Sequence, residues 1–354
     1  MFSSKYVFCI LVVTTTVLIY VLYQNLKENE SPVTILSRKT TISNALHIAV
    51  VACGQRLEET LVMIKSALLY NEPTQLLKFL IFTEDKLFDA FREKLSDWQA
   101  LQMFEFEILP LRFPSNQKEE WYSLFKPCAA QRLFLPTLLS DVDSILYVDT
   151  DILFFSPVSD IWDFFNRFNS TQLAALVAEH EDSNIGWYNR FARHPYYGKL
   201  GVNSGVMLMN LTRMRTFGWN EKILPIYKEY KLRITWGDQD IINILFYYHP
   251  EKLYLMPCNY NYRADHCMYM NVCDISKNGV KILHGNRGYF HSAKQPFRIL
   301  YSSIQSLQLK NSPYQNFVLP MQEAMVDSHL FESNCGKVLK GLLSKTVNDL
   351  DYAT

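Results

Sequence analysis

The sequence carries no excess of charge of either sign. Lys plus Arg number 35 and Asp plus Glu number 35, so no global field draws in nucleic acid or acidic partners. No basic block with interleaved aromatics is present, which sets nucleic-acid binding aside. There is no internal repeat and no low-complexity tract. The cysteine spacing does not fit a zinc knuckle. No second cluster of carboxylates and histidines is visible, as a two-metal phosphohydrolase would need. What is there is 354 residues, 49% hydrophobic and 14% aromatic, ample for a packed core and against disorder.

The longest uncharged run is "YVFCILVVTTTVLIYVLY", Tyr6 to Tyr23, 18 residues. At about 1.5 Å per residue it makes roughly 27 Å of helix, close to a thin secretory-pathway bilayer. A cleaved signal peptide is the competing reading. The run is longer than a usual h-region, and no small-x-small site follows it. Tyr20 and Tyr23 stand where interfacial aromatics would. The expected organisation is a cytoplasmic tail (1–5), a signal anchor (6–23), a stem (24–45), a lumenal domain (46–330) and a C-terminal tail (331–354). That makes a single-pass type II membrane protein of the ER or Golgi. "NST" at Asn169 and "NLT" at Asn210 match N-glycosylation acceptors, the second at the end of an apolar stretch. Of seven cysteines, Cys9 lies in the anchor. A Cys267–Cys273 disulfide is the pairing expected in an oxidising lumen, with free buried thiols as the alternative.

From His47 the pattern changes. "HIAVVAC", "LLKFLIFT", "MFEFEILPL" and "SILYVD" read as strands. "LEETLVMIKSALLY", "KLFDAFREKLSDW" and "PCAAQRLFLPTLL" read as the intervening helices, Pro127 being tolerated in a first turn. Strand–helix alternation implies an α/β fold with a mainly parallel sheet covered on both faces. In such sheets ligands collect beyond the carboxyl ends of the strands.

At one such end, "SILYVDTDILFF" interrupts an apolar run with Asp149 and Asp151. Two carboxylates one residue apart in a partly desolvated cleft repel each other, and a divalent cation offsets that cost. Hard ions such as Mg²⁺ or Mn²⁺ suit carboxylate oxygens and are commonly shared with substrate phosphates. Turn capping is the competing reading. Downstream, "GVNSGVMLMN" reads as a polar turn entering a strand. Asn203 and Ser204 could bond a polyhydroxylated ligand, and Gly205 permits close backbone approach. "WGDQDIINILF" puts Asp238, Gln239 and Asp240 at a helix start, where acidic residues also serve as caps. His284, ending "VKILHGNRG", is a candidate third metal ligand. Trp187, Tyr196 and Tyr197 could stack on an acceptor sugar or pack in the fold.

The ordered set "HIAVVACG", "QRLFLPTLL", "LYVDTDILF", "NSGVMLMNL", "GDQDIIN" and "LHGNRG" resembles the family 8 retaining glycosyltransferases over roughly residues 46 to 300. Within that family the chain looks most like the glucoside xylosyltransferases. The resemblance implies a GT-A-type single domain with a Rossmann-like nucleotide-binding half, a UDP-sugar donor and a Mn²⁺ or Mg²⁺ ion. It further implies transfer of xylose from UDP-xylose, in α linkage, to O-linked glucose on EGF-like repeats such as those of Notch. It places the metal on Asp149, Asp151 and His284. It places donor contacts on Ala52, Cys53, Gly54, Arg132, Asn203 and Ser204, and Asp238 and Gln239 beside the anomeric carbon. The family's H-x-x-G followed by Lys-Pro-Trp here reads His284 with "GNRGYFHSAKQPF" after it. Lys294 is the candidate for the diphosphate, with His291 competing for metal or phosphate. Rival readings keep the fold with another UDP-sugar or a xyloside acceptor, or make the chain a non-catalytic sugar-binding protein.

Overall fold

The computed structural model describes residues 45–113, 121, 128, 130–268, 270–292, 296–324 and 331–351. All lie in one compact unit, Ile42–Thr354. The expected anchor and stem, and Lys294, lie outside the described residues. Among the described residues, no helix is long and apolar enough to cross a membrane.

In chain order the strands are β1 (Leu46–Ala52), β2 (Leu77–Thr83), β3 (Glu105–Pro110), β4 (Ser144–Val148), β5 (Ile152–Phe154), β6 (Ala174–Ala178), β7 (Val202–Asn210), β8 (Leu253–Met256), β9 (Tyr262–Arg263) and β10 (Ile282–His284). Seven form one sheet in the order β3-β2-β1-β4-β7-β6-β8, and β5-β10-β9 form a second. β1 pairs in parallel with β2 and β4, β2 with β3, and β6 with β8. β7 is the exception, antiparallel to both β4 and β6.

The pattern of the strands explains their places. "LHIAVVA" and "LKFLIFT" are buried almost throughout, as central strands covered on both faces must be. β3 alternates exposed and half-buried residues, as an edge strand does. Along β1, Ile48, Val50 and Ala52 enter one core with Leu61, Met63 and Ile64 of the helix Leu57–Leu69 and Phe91 and Leu95 of Phe88–Gln99. Ala49 and Val51 enter the opposite core with Leu133, Trp219 and the apolar face of the helix Asp238–Tyr248. This two-residue alternation places a helical layer on each face of the sheet.

Three expectations are corrected. "GVNSGVMLMN" is not a turn entering a strand: β7 already includes Asn203 and Ser204. "PCAAQRLFLPTLL" is not one helix. Its described part is a 3-10 turn, Gln131–Phe134, followed by a single α turn, Leu135–Leu138, at whose start Pro136 has no N–H to give. The expected C-terminal tail is packed over its described residues, 331–351. It carries the helix Asn334–Asp351, whose Val338, Leu339, Leu342 and Leu343 fill a third core with Leu153, Tyr262, Leu283 and the helix Phe297–Ser306.

The disulfides differ from expectation for the same tertiary reason. Cys267 pairs with Cys335 of the C-terminal helix, and Cys273 with Cys258, at Cα separations of 5.0 and 5.8 Å. The expected Cys267–Cys273 bond does not form, because the helix Asn334–Asp351 brings its own cysteine to Cys267. A third disulfide joins Cys53, just beyond β1, to Cys128, ahead of the 3-10 turn that carries Arg132.

Candidate metal and donor site

Asp149 follows directly on β4, Asp151 precedes β5, and His284 ends β10. β5 and β10 are antiparallel with His284 opposite Ile152, and the Gly285 N–H donates to the Asp151 carbonyl at 2.7 Å. The second sheet therefore returns a histidine to the carboxylate pair from 133 residues away (284 − 151). One ligand atom from each of the three side chains lies within 4.8 Å of the other two. His284 Nε2 stands 3.3 Å from Asp151 Oδ1 and 3.9 Å from Asp149 Oδ2.

The orientation of His284 is fixed from behind. Its Nδ1 is 3.0 Å from the Asn261 side-chain oxygen. Asn261 donates its own amide hydrogen to Asn203 Oδ1 at 2.8 Å, which also accepts from the Gly205 N–H at 3.0 Å. Since Asn261 offers oxygen, Nδ1–H is the donor to it, and Nε2 is the ring nitrogen that faces the carboxylates. These residues fit a hard divalent ion: two carboxylates and an imidazole nitrogen, pre-aimed.

β7 supplies the wall. Its antiparallel register sets Val206 opposite Val148, so Gly205 meets Asp149, whose N–H donates to the Gly205 carbonyl at 2.9 Å. A Cβ on Gly205 would lie 2.3 Å from His284 Cε1, 2.8 Å from Nδ1 and 3.0 Å from Asp149 Oδ2. Glycine is required here by approach, not by φ.

Arg132 is buried and ties three elements together. It bonds Asp238 and the Ser204 carbonyl, lies 3.5 Å from Asp149 Oδ1, and stacks over Tyr147 at 4.5 Å. Tyr147 in turn donates to Asp149 Oδ1 at 3.0 Å. Burial pushes the Asp238 carboxyl up to about 6; Arg132 opposes the rise and Asp149 adds to it. Burial also acts to raise Asp151, yet His284 and Arg56 outweigh it and hold that carboxyl below its ordinary value. Arg132 is held firmly charged: burial opposes this, and Asp238, Tyr147 and Asp149 prevail.

Gln239 Oε1 accepts from the Ser204 N–H at 3.1 Å, and its amide donates to Tyr188 Oη at 3.3 Å. Tyr188 donates to Asp240 at 2.8 Å and accepts from Asn243 at 2.9 Å. Asp240, the third residue of the helix Asp238–Tyr248, takes the N–H groups of Thr235 and Trp236 on its other oxygen at 2.7 Å each and so holds the turn that leads into that helix.

Of the sequence-derived residues, Asp149, Asp151 and His284 converge, and Arg132, Asn203, Ser204, Asp238 and Gln239 form one network beside them. Ala52 and Gly54 lie at the β1 end, where the Gly54 N–H is taken by Glu84 at 2.8 Å. The Cys53 sulfur is committed to its disulfide, so only its backbone is left for a ligand. His291 does not join the metal ligands; its Nε2 is 2.9 Å from Glu59 Oε1. Tyr197 packs against the second core, while Trp187 meets the half-exposed Trp236 at 5.6 Å beside the site. Asn261, Tyr188 and Glu59 are absent from the sequence reading. Only their polarity within apolar surroundings marks them, and that signal is weak without a fold.

The model of glycosyl transferase family 8 matches residues 47–284. The chain is 50% identical over 316 residues to glucoside xylosyltransferase 1 of Rattus norvegicus, covering 85% of this chain and 72% of that one. It is 52% identical over 308 residues to glucoside xylosyltransferase 2 of Mus musculus, covering 83% and 68%. Apo mouse xyloside xylosyltransferase 1 shares the fold with a TM-score of 0.51 at 18% identity, over 69% of this chain and 98% of that one. The galactosyltransferase LgtC, solved with donor and acceptor sugar analogs, does so with a TM-score of 0.54 at 17% identity, over 76% and 99%. A GT-A-like sheet, a carboxylate pair at its mouth and this degree of identity lead to one conclusion: the chain belongs to glycosyl transferase family 8.

Proposed function

We propose that the chain transfers xylose from UDP-xylose, with retention, to O-linked glucose on EGF-like repeats of Notch type. Half-identity to glucoside xylosyltransferases over most of the chain supports the sugar and the acceptor glucoside. The observation that carries catalysis is the convergence of Asp149, Asp151 and His284 at one point. Asp149, Asp151 and His284 would hold Mn²⁺ or Mg²⁺. When bound, that ion supplies Lewis-acid stabilisation of the diphosphate.

The chain's own residues supply position and field. Arg132 is buried, permanently charged and fixed by Asp238, so it adds positive potential beside the carboxylate pair without reorganisation. Ser204 and Tyr188 hold Gln239 from both ends, which supports its place beside the anomeric carbon. Asp238 is only 4% exposed and bonded to Arg132, which makes it a poor nucleophile. Front-face displacement fits these constraints. The acceptor oxygen bonds to the anomeric carbon as the bond to UDP breaks, and its proton passes to the departing phosphate oxygen. Inverting and retaining hydrolases instead set two carboxylates across the sugar. On this reading the uncharged 6–23 run anchors the chain in the secretory pathway, with the catalytic domain in the lumen.

The test uses the full chain, purified in detergent from a secretory host, with Mn²⁺, a panel of UDP-sugars and a folded O-glucosylated EGF repeat. Pentose transfer from UDP-xylose, lost in the Asp149→Asn plus Asp151→Asn variant, is the expected result. Transfer of a different sugar would move the function within the family. No transfer and no donor hydrolysis by folded protein would refute the catalytic reading.

A further inference from the structure

Glu59 is the one charged side chain buried on the helix Leu57–Leu69, beside apolar residues, Thr60 and Ser66, and it is only 4% exposed. Burying an ionised carboxylate is costly unless every lone pair finds a partner. Its partners come from three segments. Oε2 accepts from Thr150 Oγ1 at 2.6 Å and from Arg56, the residue just before its helix. Oε1 stands 2.9 Å from His291 Nε2. Thr150 is the residue between Asp149 and Asp151, and its hydroxyl is buried. His291 lies seven residues beyond His284 (291 − 284). A wall of the 530 Å³ cavity beside the β1 end is formed by Glu59, Arg56 and His291.

We propose that Glu59 is a positioning residue for the metal centre, holding Thr150, and through it the Asp149–Asp151 turn, against the loop that follows His284. This rests on the reading that Asp149, Asp151 and His284 hold a divalent cation. The physical argument concerns spacing. Asp149 and Asp151 approach one ion only if the single residue between them is fixed, and backbone bonds fix the outer two alone: Asp149 to Gly205 and Asp151 to Gly285. The Thr150 hydroxyl bond closes that gap. Glu59 does not itself act as a ligand, because its oxygens are already taken by Thr150, Arg56 and His291. The same carboxylate binds Thr150 of the Asp149–Asp151 turn and His291 of the loop after His284, so turn and loop are tied behind the cluster as well as through the β5–β10 pairing.

The decisive measurement is the Mn²⁺ dissociation constant of the full chain with UDP present, from the free-ion electron paramagnetic resonance signal. Glu59→Ala and Thr150→Val each should weaken Mn²⁺ about 10–100-fold, the usual cost of losing a group that orients metal ligands. Glu59→Gln keeps an oxygen for Thr150 and should recover most of that loss. Thr150→Val removes only the hydroxyl, so it carries the test if Glu59→Ala does not fold. Variants that melt with the wild type and bind Mn²⁺ equally well would overturn the inference while leaving the metal reading intact. Absence of Mn²⁺ binding by the wild-type chain would overturn both.

Discussion

Gly205→Ala is the sharpest perturbation of this site, because one methyl group tests the register of β4 and β7 together with the placement of His284. The added Cβ would lie 2.3 Å from His284 Cε1. Non-bonded carbons settle near 3.5 Å or beyond, so the ring must move away by about 1.2 Å. It has no free direction. Asn261 holds Nδ1 at 3.0 Å, and retreat breaks that bond. Moving the strand instead breaks the Asp149 N–H bond to the Gly205 carbonyl. Over-packing of this kind costs about 1–3 kcal/mol of stability. Misplacement of a reacting group by about 1 Å costs on the order of 100-fold in rate. The expected outcome is a folded protein with turnover reduced about 100-fold and Mn²⁺ binding weakened in parallel. UDP-xylose turnover, Mn²⁺ titration and a thermal melt on the same preparation measure all three. Turnover and Mn²⁺ affinity both within about threefold of wild type would refute the reasoning, since the ring would then have room that the geometry denies it.

Three further outcomes follow from the same contacts. Asn261→Leu should weaken Mn²⁺ about 10–100-fold by freeing the His284 ring, and an unchanged affinity in a titration would count against the orientation argument. Burial, with Arg263 adding and Glu181 opposing, pushes the His266 imidazole down to about 4, and His180 adds to the lowering. The unfolded chain therefore takes up a proton below about 6.5 that the fold refuses, so stability falls as pH falls toward 4. By pH 5 the loss is about 2 kcal/mol, read as a lower denaturant midpoint than at pH 7, and His266→Gln should flatten that slope. Removing the Cys267–Cys335 bond, which closes a separation of 68 residues, should destabilise the chain by about 4 kcal/mol in chemical denaturation, with a change under 1 kcal/mol arguing against it.

The sheet was legible because its strands are apolar runs bounded by helical periodicity, and that information is local. The same holds for Asp149 and Asp151: an uncompensated pair of charges at a strand end is visible in twelve consecutive residues. Identity as a family 8 transferase followed from the order of short motifs. Other features are set by contacts between distant segments. Nothing near Cys267 points to Cys335, which arrives only when the helix Asn334–Asp351 packs under the second sheet. Nothing in "CNYNYRAD" marks Asn261 as the group that sets the His284 proton. Ser204 and Asn203 read as a turn because they are polar, and they stand in β7 because β6 pairs with Asn203 while the side chains of Gln239 and Arg132 take the Ser204 N–H and carbonyl. By itself the sequence determined β1 to β4, the layer on each face and the charged pair that asks for a cation. Tertiary structure alone decided which residues aim His284, which carboxylate secures Thr150 and which cysteines meet, since a side chain's partners depend on packing between segments, whereas periodicity and charge are carried by the chain itself.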